Sequence, residues 1–252
     1  MKKIVYLPLD ERPCNYDFCG FIAQNNNDIN LVRPEKSDLG LKKKPAEYLK
    51  VKSFLSCECA DADYLILAVD MLLYGGIVPS RLHCLPQEEI FSRVDFIKTL
   101  KEANPNLKIF AFSLVMRCPT YSSGDEEPDY YEVYGERIFR YGVNEHKYID
   151  NLIAKDEYET EKNRLNVPEK YLNDYLSRRE ENLSALLRTL KLVGGAIDEF
   201  LILQDDSNPY GFTALDQRKV KEFTQSEKIN IEVHSGADEG GLTLLARTLT
   251  RI

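Results

Sequence analysis

Two adjacent carboxylates, Asp205-Asp206, follow an apolar run and lead into Ser207-Asn208-Pro209-Tyr210-Gly211. Carboxylates held this close repel, so a proton kept on one is stabilised by the charge on the other. Such a pair suits general-acid chemistry beside an orienting or charge-stabilising partner. The same oxygens suit a hard divalent cation, Mg2+ or Mn2+, with Asp10, Asp70 or Asp238 completing its shell. A purely structural alternative has one acid turned inward and the other capping the next helix.

Four further turns share the pattern. They are Asp10-Glu11-Arg12-Pro13-Cys14-Asn15, Asp70-Met71-Leu72-Leu73-Tyr74-Gly75-Gly76 with Ser80-Arg81, Arg117-Cys118-Pro119-Thr120-Tyr121, and Ser235-Gly236-Ala237-Asp238-Glu239-Gly240-Gly241. Each follows an apolar run and contains a glycine or proline turn. Helix capping accounts for a lone acid, but it needs no arginine, tyrosine or acid pair. The expected pocket is therefore centred on Asp205 and Asp206 and lined by Asp10, Arg12, Asn15, Asp70, Tyr74, Arg81, Tyr210, Asp238 and Glu239. Arg12, Arg81 and Arg117 pair with these acids or clamp a substrate carboxylate or phosphate. Tyr74 and Tyr210 stack on a sugar or donate a hydrogen bond, although with 15 tyrosines in the chain most are structural. Gly240-Gly241 permits either close ligand approach or tight packing. Neither a Walker nor a dinucleotide glycine pattern is present. His83, His146 and His234 are not at metal-ligand spacing, and only His234 falls near the charged turns. No nucleophile elbow appears.

These turns need strands to carry them. Lys3 to Leu9, Ile29 to Arg33, Asp63 to Val69, Leu107 to Met116 and Glu199 to Gln204 are short and apolar, as strands buried on both faces should be. Ile229 to Ser235 alternates more and is expected nearer an edge. A helix is expected after Pro86, its stripe formed by Ile90, Val94, Ile97 and Leu100. Another is expected near Thr213, with Asp216 three residues on as a weak capping-box partner. Strands alternating with helices predict an α/β fold with a mostly parallel sheet of repeated βα units. Right-handed crossovers then gather every strand's C-terminal end on one edge, where such proteins bind ligands. About six strands are counted, which fits an open sheet or an incomplete TIM-barrel-like arrangement. Residues 131–193 are charged and helical, with leucines at 172, 176, 183, 187 and 190 and a break at Pro168. The expectation is a single domain over 1–252 that carries this segment as a helical insertion or lid.

Composition narrows the partners. The chain has 252 residues, with 33 basic against 41 acidic side chains and a formal net charge of −8. A surface of that sign repels nucleic acid and anionic membranes, so neither is an expected partner. The apolar start of the chain is broken at Asp10-Glu11-Arg12, too early for a signal peptide, and no segment has the length of a membrane span. Six scattered cysteines, with Cys57-Glu58-Cys59 too tight for a zinc knuckle, read as reduced thiols. The expected location is the cytoplasm, and the sequence carries no reading of oligomeric state.

Four of the five charged turns also resemble a known family. Tyr6-Leu7-Pro8-Leu9-Asp10-Glu11-Arg12-Pro13-Cys14-Asn15 resembles the opening block of bacterial proteins grouped as domain of unknown function 4127. Asp70 to Gly76 with Ser80-Arg81 is similar to the second block, Gln204 to Phe212 to the third, and Gly236-Ala237-Asp238-Glu239 with Leu242 to Arg247 to the fourth. Members of that family are typically longer, so the resemblance implies an N-terminal portion or a truncated member. It implies no activity. A looser similarity is to glycosidases acting on 2-acetamido sugars, where one acid orients the acetamido group and its neighbour protonates the leaving oxygen.

The first expectation is thus a glycoside-hydrolase-like enzyme that uses Asp205 and Asp206 on a small-molecule glycoside or amino sugar, without a cofactor. A metal-dependent hydrolase of a phosphate ester is the second, with Mg2+ or Mn2+ as its ion. A non-enzymatic sugar- or partner-binding module, working through the helical segment, is the third.

Overall fold

The computed structural model describes residues 1–206 and 208–252, and Ser207 of the acid-pair turn lies outside the described residues. Six strands, β1 (Lys2–Leu7), β2 (Ile29–Val32), β3 (Tyr64–Ala68), β4 (Lys108–Val115), β5 (Glu199–Gln204) and β6 (Glu232–Ser235), form one parallel sheet. The apolar runs become strands because their side chains are covered on both faces: Ile4, Leu7, Leu65, Ile66, Leu67, Ile109, Phe112, Leu201 and Ile202 are all buried. The more alternating β6 is an edge strand, and its side chains are largely exposed.

Strand order is β2-β1-β3-β4-β5-β6, so the sheet is open, with β2 and β6 at its edges. From β1 the chain steps outward to β2, then crosses back over β1 to reach β3. A parallel sheet allows this reversal because each crossover is right-handed, which puts the helix following β1 on the face opposite those following β2. That helix is α1 (Pro13–Gln24), followed by α2 (Tyr48–Glu58). Next come α3 (Val69–Tyr74), α4 (Gln87–Ala103), α5 (Tyr131–Ile149), α6 (Lys155–Leu165) and α7 (Glu169–Leu190). The chain ends through α8 (Phe212–Ser226) and α9 (Gly240–Leu249). Helix α9 returns to pack beside α1 over β3 and β4.

Helix α4 forms as its stripe predicts, with Ile90, Val94, Ile97 and Leu100 buried. Pro168 does separate two helices, standing at the N-cap of α7. Helix α7 packs on α4 and α8 and supplies the crossover to β5, while α5 and α6 pack on each other. The buried face of α7 is not the leucine stripe alone. Tyr175, Arg178, Arg179, Ala185, Leu186, Thr189 and Leu190 are its buried residues, while Leu183 and Leu187 only flank the core.

Two local features depart from expectation. Helix α3 starts at Val69 directly from β3, so Asp70 lies in a buried helical turn and not in a loop. The helix stops at Gly75, whose φ of +84° gives the left-handed turn that favours glycine. At α8 the N-cap is Gly211, and Thr213 forms no capping box. Its hydroxyl donates instead to the Met116 carbonyl at 3.2 Å, while Asp216 is taken by Arg179 at 2.6 Å. Among the described residues no helix is long and apolar enough to cross a membrane, and all six cysteines are free.

Candidate functional site

The reversal of direction between β1 and β3 separates the loops that follow them. A cavity of about 730 Å3 opens there, walled by Asp10, Glu11 and Arg12, by residues 75–79, by 41–44 and by 124–126. Crevices of this kind, at the carboxyl ends of strands where strand order reverses, are where doubly wound sheets hold ligands. Its floor is apolar (Leu39, Ile77, Val78), and charges of both signs stand around it, including Glu126 and the three lysines Lys42, Lys43 and Lys44.

One wall is a polar lock between the first and last charged turns. Asp10 is buried and accepts from the Arg12 backbone N–H at 3.0 Å, Arg12 Nε at 2.7 Å and Asn15 Nδ2 at 2.9 Å. The same guanidinium reaches Asp238 Oδ1 at 2.6 Å and Oδ2 at 3.3 Å, and Asn15 Nδ2 lies 3.0 Å from Asp238 Oδ1. Burial raises the Asp10 pKa above the ordinary carboxylate value, with Arg12 and Asn15 opposing it. Tyr6 holds the turn from below by donating to the Asn15 carbonyl at 2.5 Å. The glycines that follow serve packing: a Cβ at Gly240 would meet the Phe112 ring at 2.5 Å, and one at Gly241 the Tyr6 hydroxyl oxygen at 2.2 Å. They bring α9 down onto the sheet and do not open space for a ligand.

The second assembly surrounds the acid pair. Arg117 donates from Nε to Glu127 at 2.8 Å, from one terminal nitrogen to Glu126 at 3.0 Å and from the other to Asp205 at 3.4 Å, with Asp206 Oδ2 at 3.8 Å. Arg81, itself buried, reaches Glu126 and Glu127 at 3.3 Å each. Four carboxylates thus share two guanidiniums, an excess of negative charge that favours keeping a proton on one of them. Asp206 is pushed in that direction, by burial first and then by Asp205, against the pull of Arg117 and Arg81. Its φ is +47°, and its Oδ2 is enclosed without a hydrogen-bond partner among the described residues. Burial likewise raises Glu127.

Asp70 stands beneath this cluster. Its Oδ2 accepts from Ser113 Oγ at 2.9 Å and from the Leu114 N–H at 3.1 Å, and burial pushes its pKa up to about 6. It borders a very small void together with Arg81, Arg117 and Asp205. Helix α7 stiffens the turn that carries Arg117. Arg179 donates to the Met116 and Arg117 carbonyls at 2.9 Å each, and the Tyr175 hydroxyl donates to the Arg117 carbonyl at 3.0 Å.

Asp10, Arg12, Asn15 and Asp238 therefore form one group, and Arg81, Asp205, Asp206 and Asp70 belong to a second. Glu126 links them, because it lines the large cavity and bonds both Arg81 and Arg117. Among the described residues, three expected lining side chains form no hydrogen bond or ion pair with either group. Tyr74 is buried and stacks on His83 at 4.5 Å, because α3 turns it away from the cavity at the switch point. Tyr210 packs edge-on against His146 of α5 at 5.2 Å. Glu239 folds back onto its own turn, accepting from the Ala237 N–H at 3.0 Å. His234 pairs with Glu232 on the exposed edge strand. Glu126 and Glu127 escaped the sequence reading, although the acidic run Asp125-Glu126-Glu127 before Pro128 was there to signal them. Among the described residues no three His, Cys, Asp or Glu side chains stand together as a metal-binding group. The acids expected to complete a cation shell have protein partners instead: Asp10 and Asp238 through Arg12, and Asp70 through Ser113.

A family model described as "Protein of unknown function (DUF4127)" matches residues 4–252. No curated protein and no solved structure matches the chain. The chain belongs to the DUF4127 family, as its four charged blocks led us to expect.

Proposed function

We propose that this chain is an acid-assisted glycoside hydrolase, with Asp206 as proton donor and Asp205 as its charged neighbour. The observation that carries the reading is the Asp206 carboxyl. It sits in a left-handed turn beside a second acid, its pKa is raised by burial and by Asp205, and one oxygen is enclosed with no hydrogen-bond partner among the described residues. An enclosed acid beside a second acid, with Arg117 no nearer than 3.8 Å, is costly to ionise, and costs of this kind gather at functional sites.

Asp205 and Asp206 do not line the cavity at the β1/β3 switch point but adjoin its wall through Arg117 and Glu126, and its volume of about 730 Å3 falls within the roughly 300–1,000 Å3 typical of small-molecule sites. On a 2-acetamido sugar, Asp206 gives its proton to the glycosidic oxygen as the bond from that oxygen to the anomeric carbon breaks. The substrate's acetamido oxygen attacks the anomeric carbon, and Asp205 accepts the acetamido N–H. Water then opens the cyclic intermediate and returns a proton to Asp206. Arg117 and Arg81 set the charge of the pair throughout. No step requires a metal or an organic cofactor, and the substrate is the only partner invoked. Catalysis in the cytoplasm is part of the same proposal.

The test is release of nitrophenol from a panel of α- and β-linked aryl 2-acetamido glycosides. Asp206→Asn should lower kcat by about 10²- to 10⁴-fold, the usual weight of a general acid, with an unchanged circular dichroism spectrum. In the wild type, activity should fall as pH rises through the raised Asp206 pKa, because the protonated form is the active one. Full activity in Asp206→Asn, or a folded wild type that cleaves no member of the panel, overturns the proposal.

A further inference from the structure

A second cavity lies on the other side of Pro79 and Lys43, residues it shares with the large one. It measures about 290 Å3, and Tyr48, Tyr74, Leu82, His83 and Arg93 are among its walls. Two polar groups there lack partners that folding normally supplies. Tyr74 is 5% exposed, and its hydroxyl has no hydrogen-bond partner among the described residues. Arg93 is 9% exposed, and its Nε is likewise unpartnered, although its terminal nitrogens bond Glu89 and the Leu73 carbonyl. A phenol and a guanidinium N–H held dry without acceptors are groups that a ligand can satisfy.

The remaining surface defines that ligand. Lys43 and Arg93 line the cavity and no Asp or Glu does, although Arg93 is paired with Glu89 and Glu181 lies 4.0 Å from His83 Nδ1, so Lys43 is the cation that favours an acceptor with negative charge. The partner of Lys43, Asp129, is fully exposed at 3.0 Å, an arrangement that holds the ammonium only weakly. Burial lowers the His83 pKa, which keeps the imidazole neutral near pH 7, and its ring stacks on Tyr74. Aromatic and proline walls favour a flat ring over a flexible chain. We infer that this cavity is a second ligand site that takes a small, planar organic acid, its carboxylate toward Tyr74 and Arg93. The site is independent of the hydrolase proposal and is tested by binding alone.

Benzoate is the probe, and benzamide is its uncharged counterpart of the same shape. Cys84 lines the cavity and is exposed, whereas Cys57 is exposed but does not line it, so the two thiols report locally. Titration calorimetry on the intact chain should show saturable benzoate binding, at least tenfold weaker for benzamide. Tyr74→Phe should weaken benzoate binding about tenfold while leaving the thermal midpoint at or above that of the wild type. Bound benzoate should slow disulfide-reagent labelling of Cys84, mapped by peptide mass, without slowing that of Cys57. Equal affinity for benzamide, no saturation by benzoate, unchanged affinity in Tyr74→Phe, or an unprotected Cys84 each overturns the assignment.

Discussion

Replacing Asp70 by Asn should make the protein more stable at neutral pH, by an amount that vanishes in acid. In the folded chain burial lifts the Asp70 carboxyl from 3.8 to about 6, while the unfolded chain keeps the lower value. Between those two pH values the folded state holds a proton that the unfolded state has released. Stability from this group is thus fully present only well below pH 4, declines as pH rises to 6, and is constant above. The gap between 3.8 and about 6 corresponds to roughly 3 kcal/mol. Asn cannot ionise, and its carbonyl can still accept from Ser113 Oγ and the Leu114 N–H, which bond Asp70 Oδ2 at 2.9 and 3.1 Å. Urea unfolding of both proteins from pH 4 to pH 8 measures the effect, followed by circular dichroism because the chain has no tryptophan. Other titrating groups cancel in the difference between the two proteins. That difference should grow in favour of Asn by roughly 2.5 kcal/mol from pH 4 to pH 8, the rest of the change lying below pH 4. A flat difference, or one that shrinks with pH, would refute the claim that burial controls this carboxyl.

Two further substitutions test how the site is supported. Gly241→Ala should destabilise by about 1–3 kcal/mol, because the new Cβ would lie 2.2 Å from the Tyr6 hydroxyl oxygen; adding Tyr6→Phe should restore part of the loss in urea melts. Arg179→Met should cost about 3–5 kcal/mol, since it strands Asp216 and two carbonyls that Arg179 bonds at 2.6–3.0 Å; a melt within 1 kcal/mol of wild type would show that these groups find other partners.

The sequence located the strands well because both-face burial writes itself as an unbroken apolar run. Glu199–Gln204 matches residue for residue, and the others differ by a few residues at their ends. It left the strand order open, since a run that steps back across β1 looks no different from one that steps forward. Apolar continuity also hid the join at Ala68–Val69, where strand passes into helix without a turn residue to mark it. Of the site, the charged turns were legible as a set, but pairing depends on side-chain direction. The helical turn of α3 sends Asp70 toward Ser113 and Tyr74 toward His83, a divergence that spacing in a loop does not predict. Glu126 and Glu127 lie well past the end of β4, beyond the turn at Arg117, so the rule that singled out the acids directly after each apolar run passed over them.

The clasp from Arg12 to Asp238 joins positions 226 apart in the chain. A ribosome working from the first residue onward must therefore pass residue 238 before this clasp can shut. Until then Arg12 has Asp10 alone, and the first loop is free to adopt other shapes. The Arg12 wall of the cavity is in this way completed only once the β6–α9 unit has been made.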